Sequence, residues 1–320
     1  MNPLKYIDLF AGIGGFRLGL DSMASCVFSS ESNKNAQLIY KKNFGEMPEG
    51  DITKIESRDL PSHDILCAGF PCQSFSISGK QKGFDDVRGT LFFEIARIVE
   101  HHQPKMLLLE NVKNFEKHDN GNTLYTVKNI LDNLGYDIYH QILNASDFGL
   151  PQSRKRLFIV GFRKDLKVNN TFKFPISKNK KIILKETVIS EKETKKYIIN
   201  RDDTFFKTNY HISEKAFMPI RIGYINKGGQ GERIYHENGQ AITLSAHGGG
   251  IGAKTGLYYI NGNIRKLAPR ECARLQGFPD TFEIDPSDNQ AWQQFGNAVP
   301  VNIVTAIAEK MRKHYGQAGF

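Results

Sequence analysis

A thiol, a carboxylic acid and two guanidinium groups are spaced along this chain so that each leaves an apolar run. Cys72 follows Phe70-Pro71 directly after Asp64-Ile65-Leu66-Cys67-Ala68-Gly69, where a strand spills into a loop and a nucleophile would stand. Pro71 fixes φ and cannot extend a ladder, so the chain must leave the sheet there and present Cys72 at its carboxyl edge. In an open α/β sheet that edge is where ligands bind. Glu110 comes after Met106-Leu107-Leu108-Leu109, and a glutamate there is poorly solvated unless it faces a cleft. Desolvation raises a carboxyl pKa toward general-acid use. Arg154 and Arg156 alternate at the start of another β-rich run, and the period of two turns both to one side, within reach of one anionic or carbonyl ligand.

The earlier strand ends have a different chemistry. The first closes with Asp8-Leu9-Phe10-Ala11-Gly12-Ile13-Gly14-Gly15-Phe16, a glycine turn opening a helix, but Arg17 occupies the third glycine position of a dinucleotide fingerprint. Glu31 follows about twenty residues after Gly12, placed to accept hydrogen bonds from ribose hydroxyls. Asp51 is expected at the next strand end, suited to an adenine amino group. The three ends describe a nucleoside site without a pyrophosphate cradle. S-adenosylmethionine is the common cofactor of that kind, and a dehydrogenase is disfavoured.

The elements that must hold these groups follow from patterning. Apolar β-rich runs at 6–10, 26–30, 64–69, 105–109, 136–143 and 157–162 alternate with amphipathic stretches such as 90–102. The expected fold is α/β, a doubly wound, mostly parallel sheet. Beyond Arg163 the alternation stops and a glycine-rich stretch with short β-like pieces follows, giving a second, smaller, mostly β domain. The expected division is residues 1–184 plus 297–320 for catalysis and cofactor, 185–268 for the second domain, and 269–296 as a hinge. The amphipathic segment 301–314 is expected to pack back on the first domain.

With 320 residues and 40% hydrophobic content the chain can bury a sizeable core, and a net charge of +9 favours a polyanionic partner. No run reaches the roughly 18 apolar residues of a membrane span, and an intracellular, cytoplasmic location is expected. The four cysteines form no C-x-x-C pair, so neither a disulfide framework nor a metal is expected, and Cys26 and Cys67 read as small buried hydrophobes.

Five segments in this order resemble the DNA cytosine-5 methyltransferase family: Asp8 to Gly15, Gly69-Phe70-Pro71-Cys72-Gln73, Glu110-Asn111-Val112, Gln152-Ser153-Arg154-Lys155-Arg156, and Phe295-Gly296-Asn297-Ala298-Val299. The likeness continues through Ile77 to Phe84, Gly228 to Tyr235 and Ala241 to Ala246, close to a member of the family that methylates the inner cytosine of GCGC. The resemblance implies a Rossmann-like methyltransferase fold with a target-recognition domain. It implies S-adenosylmethionine as donor, S-adenosylhomocysteine as product, double-stranded DNA as substrate, a cognate restriction endonuclease as functional partner, and a monomer.

Carried onto this sequence, the resemblance makes Cys72 the nucleophile that adds to carbon 6 of a flipped-out cytosine. Glu110 would serve N3, and Arg156 with Arg154 would hold O2. Phe10, Gly12, Gly14, Glu31, Asp51, Ile52, Pro71 and Asn297 would bind the cofactor. Ser78, Lys80, Lys82 and Arg88, in a glycine- and serine-rich run able to close over the base, would face DNA with Gln230, Arg233 and Thr243. Gln230 and Ser78 would fill the vacated stack, and Arg233 suits a guanine edge. Two departures stand out: Ser32 after Glu31 where the family member has a tryptophan, and His247 where it has a tyrosine. Rival readings are an RNA cytosine-5 methyltransferase, the same DNA enzyme with a different target sequence, a DNA-binding protein without catalysis, and a P-loop hydrolase at 248–255. The last is opposed by Ala253 and by the strand-like continuation Leu257-Tyr258-Tyr259-Ile260.

Overall fold

The structure, a computed structural model, describes residues 3–71, 91–167, 171–176, 182–207, 216–247 and 254–316. Its larger sheet takes strands from the first half of the chain: β1 (Leu4–Leu9), β2 (Ala24–Ser30), β3 (Ile65–Gly69), β4 (Met106–Val112), β5 (Tyr136–Asn144) and, after the short β6 (Gln152–Ser153), β7 (Lys155–Arg163). The strand order is β2-β1-β3-β4-β7-β5. β1 to β4 run parallel, while β7 is antiparallel to both β4 and β5. The central strands β1, β3, β4 and β7 are mostly buried because both faces of the sheet are covered, whereas the edge strands β2 and β5 are more polar and partly exposed. On one side Ile7, Leu9, Leu66, Leu107 and Ile159 pack under the helices α3 (Leu91–His102) and α4 (Asn122–Asn133). On the other, Tyr6, Cys67, Leu108 and Val160 pack under α1 (Gly15–Leu20) and the late helix α8 (Val301–Gly316), which lies against α1. The helix α2 (Lys34–Phe44) is started by Asn33, whose side-chain oxygen accepts from the amides of Asn35 and Ala36.

The second half builds a five-stranded sheet in the order β13-β12-β10-β9-β8, from β8 (Thr204–Phe206), β9 (Arg221–Ile225), β10 (Arg233–His236), β12 (Leu257–Ile260) and β13 (Asn263–Arg265). Leu257–Ile260 is thus a strand, as the sequence pattern predicts. The remaining strand, β11 (Ala241–Ile242), leaves this sheet and pairs in parallel with β6. Beside it lie the one-turn α5 (Glu191–Thr194), α6 (Pro269–Leu275) and α7 (Asp288–Asn297). A shared core joins the halves: Ile13, Ala36 and Ile39 pack with Tyr235, Tyr258, Trp292 and Phe295.

At the base of α6, Arg265 and Glu271 form a bidentate pair of 2.6 and 2.7 Å, 3% and 0% exposed, and Glu271 also accepts from the amides of Ala268 and Ile189. Glu271→Ala is expected to cost about 3–5 kcal/mol, because it leaves a buried guanidinium without its partner. Urea unfolding monitored by circular dichroism checks this, and an unchanged midpoint would refute it.

Candidate active site

The carboxyl edge of the larger sheet opens into a cavity of about 620 Å³. The reversed direction of β7 matters here, because it brings the start of that strand to the edge where β1, β3 and β4 end. Arg156 is in register with Val112 and Phe158 with Glu110, while Gly69 pairs with Glu110 from the other side. The Glu110 carboxylate and the Arg156 guanidinium meet at 3.1 Å, each side chain 12% exposed. Burial pushes the Glu110 carboxyl upward, with the nearby Arg156 charge opposing. Burial likewise works against the Arg156 charge. Both directions describe a desolvated pair whose acid is biased toward its neutral form.

Asn111, 2% exposed, donates from Nδ2 to the Phe70 carbonyl at 2.9 Å and so ties the end of β4 to the turn entering Pro71. Phe70 is wedged between the rings of Phe92 and Phe115 at 5.7 and 5.5 Å. The backbone that leads to Cys72 is therefore anchored beside Glu110. Cys72 itself and Ser78, Lys80, Lys82 and Arg88 fall in 72–90, outside the described residues. Of the other thiols, Cys67 and Cys272 are buried and pushed up by burial, and half-buried Cys26 is raised for the same reason. None of the three is a reactive thiolate at neutral pH.

Directly after β1 stands Phe10, which takes a left-handed φ of 58°, followed by Gly12 at 57° and Gly14 at 90°. Gly14 does not line the cavity; a Cβ there would meet the Phe44 ring at 2.2 Å, so its glycine serves the docking of α2. Glu31, just past β2, accepts from the Gly12 amide at 2.8 Å and the Asn33 amide at 2.7 Å, one per carboxylate oxygen. Each oxygen keeps a second lone pair for a ligand hydroxyl. Phe10, Gly12, Glu31, Pro71 and Asn297 all line the cavity.

Asp51 is placed differently from the expectation of a strand end. The segment before it touches β2 through a Ser30–Glu49 bridge, and Asp51 caps the one-turn helix Ile52–Lys54, its Oδ1 accepting from the Thr53 amide and hydroxyl. Neither Asp51 nor buried Ile52 is among the lining residues. The two arginines both line the cavity but take different partners. Arg156 faces Glu110, whereas Arg154, 1% exposed, donates to the carbonyls of Leu244, Gly296 and Ala298. The break between β6 and β7 at Arg154 separates them, so alternation along one continuous strand does not apply.

From the second half, Gln230 and Thr243 line the same cavity, as do both departures, Ser32 and His247. Arg233 sits on β10 outside the lining, its Nε buried without a hydrogen-bond partner. Sequence reasoning passed over Lys254 and the glutamines of α7, Gln290, Gln293 and Gln294, which complete the wall. Their spacing of three and four on one helix face was the available signal. Among the described residues no His, Cys, Asp and Glu cluster could hold a metal ion, and no helix is long and apolar enough to cross a membrane.

A mostly parallel α/β sheet with an acid-anchored glycine loop at its first strand ends and a carboxyl–guanidinium pair at its next ones is the frame of a nucleoside-dependent methyltransferase. The chain matches the family model of C-5 cytosine-specific DNA methylases over residues 4–313, and it belongs to that family. It is 54% identical over 309 residues to the type II methyltransferase M.HhaI of Haemophilus parahaemolyticus, covering 96% of this chain and 94% of that protein. To the type II methyltransferase M.DsaV of Dactylococcopsis salina it is 45% identical, covering 96% and 86%. Among solved structures, that of the S. pombe Dnmt2 methyltransferase shares the fold with a TM-score of 0.73 at 20% identity, covering 97% of this chain and 99% of that one. The chain is accordingly a DNA cytosine-5 methyltransferase of the type II class, and the family's use of S-adenosylmethionine agrees with the cavity. A ring at Phe10, a carboxylate with free lone pairs at Glu31 and the Asn297 side chain would hold its adenosine and amino-acid parts.

Proposed function

We propose that this enzyme methylates the inner cytosine of GCGC in duplex DNA and protects that sequence from a cognate restriction endonuclease. The observation that carries the chemistry is the desolvated Glu110–Arg156 pair beside the anchored Phe70-Pro71 turn. Support for the sequence target comes from the 54% identity and from Gln230, Arg233 and Thr243, to which the resemblance assigns the DNA contacts. In this reading residues 1–184 with 297–320 carry catalysis and cofactor, 185–268 recognise the target, 269–296 join the two, and the protein acts as a cytoplasmic monomer.

Carbon 5 of cytosine is too weak a nucleophile to be alkylated directly. The Cys72 thiolate adds to carbon 6 with its electron pair, the carbon 5–carbon 6 π bond breaks and charge shifts through carbon 4 to N3, where protonated Glu110 supplies the proton. Arg156 holds O2 and stabilises the charge that develops there. Carbon 5 is now enamine-like; S-adenosylmethionine, when bound, supplies an electrophilic methyl group for it. Loss of the carbon 5 proton to a base then expels the thiolate and re-forms the carbon 5–carbon 6 double bond, and N3 returns its proton to Glu110, restoring the neutral aromatic ring. The base must leave the duplex for this attack, and 74–89 closes over it while Gln230 and Ser78 occupy the vacated stack. Lys80, Lys82 and Arg88 meet phosphates.

Labelled methyl transfer to duplexes containing GCGC or GGCC tests the target. Label in GCGC alone is expected. Label in GGCC refutes the target and keeps the chemistry, and label in transfer RNA but in neither duplex refutes DNA as substrate.

A further inference from the structure

One buried residue ties together three parts of the site that the chain delivers from far apart. Arg154 donates to Leu244 O at 3.1 Å, to Gly296 O at 2.8 Å and to Ala298 O at 2.9 Å. Leu244 follows Thr243 in the segment that faces DNA, and Gly296 and Ala298 flank Asn297 on the cofactor side. Two positions further along its own chain stands Arg156, the partner of Glu110. The neighbouring bonds repeat the connection. Gln152 accepts from the Leu244 amide at 3.0 Å and donates to Leu275 O at 3.0 Å, and the Thr243 hydroxyl donates to Ser153 O at 2.8 Å. Space is as tight as the hydrogen bonding: a Cβ on Gly296 would come within 2.3 Å of the Ser245 carbonyl. A shift of the recognition segment therefore cannot leave the turn at Asn297 in place.

Resting on the DNA-methylating reading above, we propose that Arg154 is a positioning residue that couples the recognition segment 241–247 to the cofactor side of the cavity, so that target DNA and cofactor strengthen each other's binding. Arg154 lines the cavity, but its two terminal guanidinium nitrogens donate to backbone carbonyls while its buried Nε has no hydrogen-bond partner, and its contribution to the reaction runs through the loops it holds. Lysine could bond to these carbonyls but lacks the planar fork that spans three of them at once. Coupling between two such sites commonly amounts to about 5–150-fold in affinity.

The test is the dissociation constant of S-adenosylhomocysteine with and without a duplex that the wild-type chain methylates. It is measured for wild type, Arg154→Lys, Arg154→Met and the near-isosteric Gln152→Met. In wild type the duplex is expected to tighten the ligand about tenfold. Arg154→Met should bring that ratio close to one, Arg154→Lys should restore part of it, and Gln152→Met should reduce it. A purely structural role would weaken both ligands and leave the ratio intact, so a wild-type ratio in folded Arg154→Met overturns the proposal. If Arg154→Met does not fold, an unchanged ratio in Gln152→Met does the same. A wild-type ratio of one also overturns it. Failure of the wild-type chain to methylate any duplex refutes the underlying reading, and the coupling with it.

Discussion

Cys72→Ser is expected to lower methyl transfer by at least about 10³-fold while leaving the fold and duplex binding in place. A thiol with an ordinary pKa near 8.5 supplies a few per cent of thiolate at neutral pH and more beside positive charge, whereas a serine hydroxyl ionises far less. Arg156 lines the same cavity as the anchored turn at Phe70-Pro71 and supplies positive charge there. The other thiols provide the control. Cys67 and Cys272 are buried and held protonated by that burial, so Cys67→Ala or Cys272→Ala should change stability and not the transfer step. Single-turnover transfer, with a denaturation-resistant protein–DNA adduct as second readout, checks the expectation. An adduct that survives Cys72→Ser would show that the nucleophile lies elsewhere.

Glu110→Gln is expected to reduce the rate by about 10²–10³-fold, the range of a lost general acid. Its pH signature is more telling than its size. Burial raises the Glu110 carboxyl above its ordinary range against the pull of Arg156, so the side chain keeps its proton to a higher pH than an exposed glutamate would. The step that needs that proton is complete below the raised pKa and fails as pH rises through it. Ionisation of Cys72 acts in the opposite direction, so wild type should show a bell. Glutamine cannot titrate, and the variant should retain only the ascending limb. A descending limb that persists in Glu110→Gln would assign the proton to another group.

Most strands of the large sheet were legible in the sequence because they are short apolar runs stopped by glycine, proline or a charge; β5, more polar, was legible from its β-branched and aromatic residues. The runs at 26–30 and 136–143 became β2 and β5 with ends one or two residues longer. The direction of β7 was not legible: alternating strands and helices read as parallel, and only register shows that Arg156 stands opposite Val112. That reversal is why a residue at the start of a strand joins residues at the ends of others. Glu110 and Glu31 could be found because a carboxylate after an apolar run demands an explanation. Arg154 lines the cavity with Arg156, as its spacing predicts, but its hydrogen bonds lead elsewhere. Spacing records where a side chain starts, and its three carbonyl partners come from segments about ninety and more than a hundred and forty residues away. Asp51 likewise carried the right charge, while its local role as a turn cap depends on Thr53, two residues on.

The placement of α8 against α1 has a consequence for synthesis. The face of the first strand and helix that includes Tyr6, Phe16 and Leu20 finds its cover in Ile303, Val304 and Ile307, made only after the whole recognition region. As the chain leaves the ribosome, that apolar face stays open until the late helix emerges. The glycine loop, to which the proposal assigns cofactor binding, opens α1, so the loop gains its support only then. A growing or prematurely halted chain can thus display recognition surfaces without a working donor site, and modification of DNA begins only once translation has passed the helix that closes the first one.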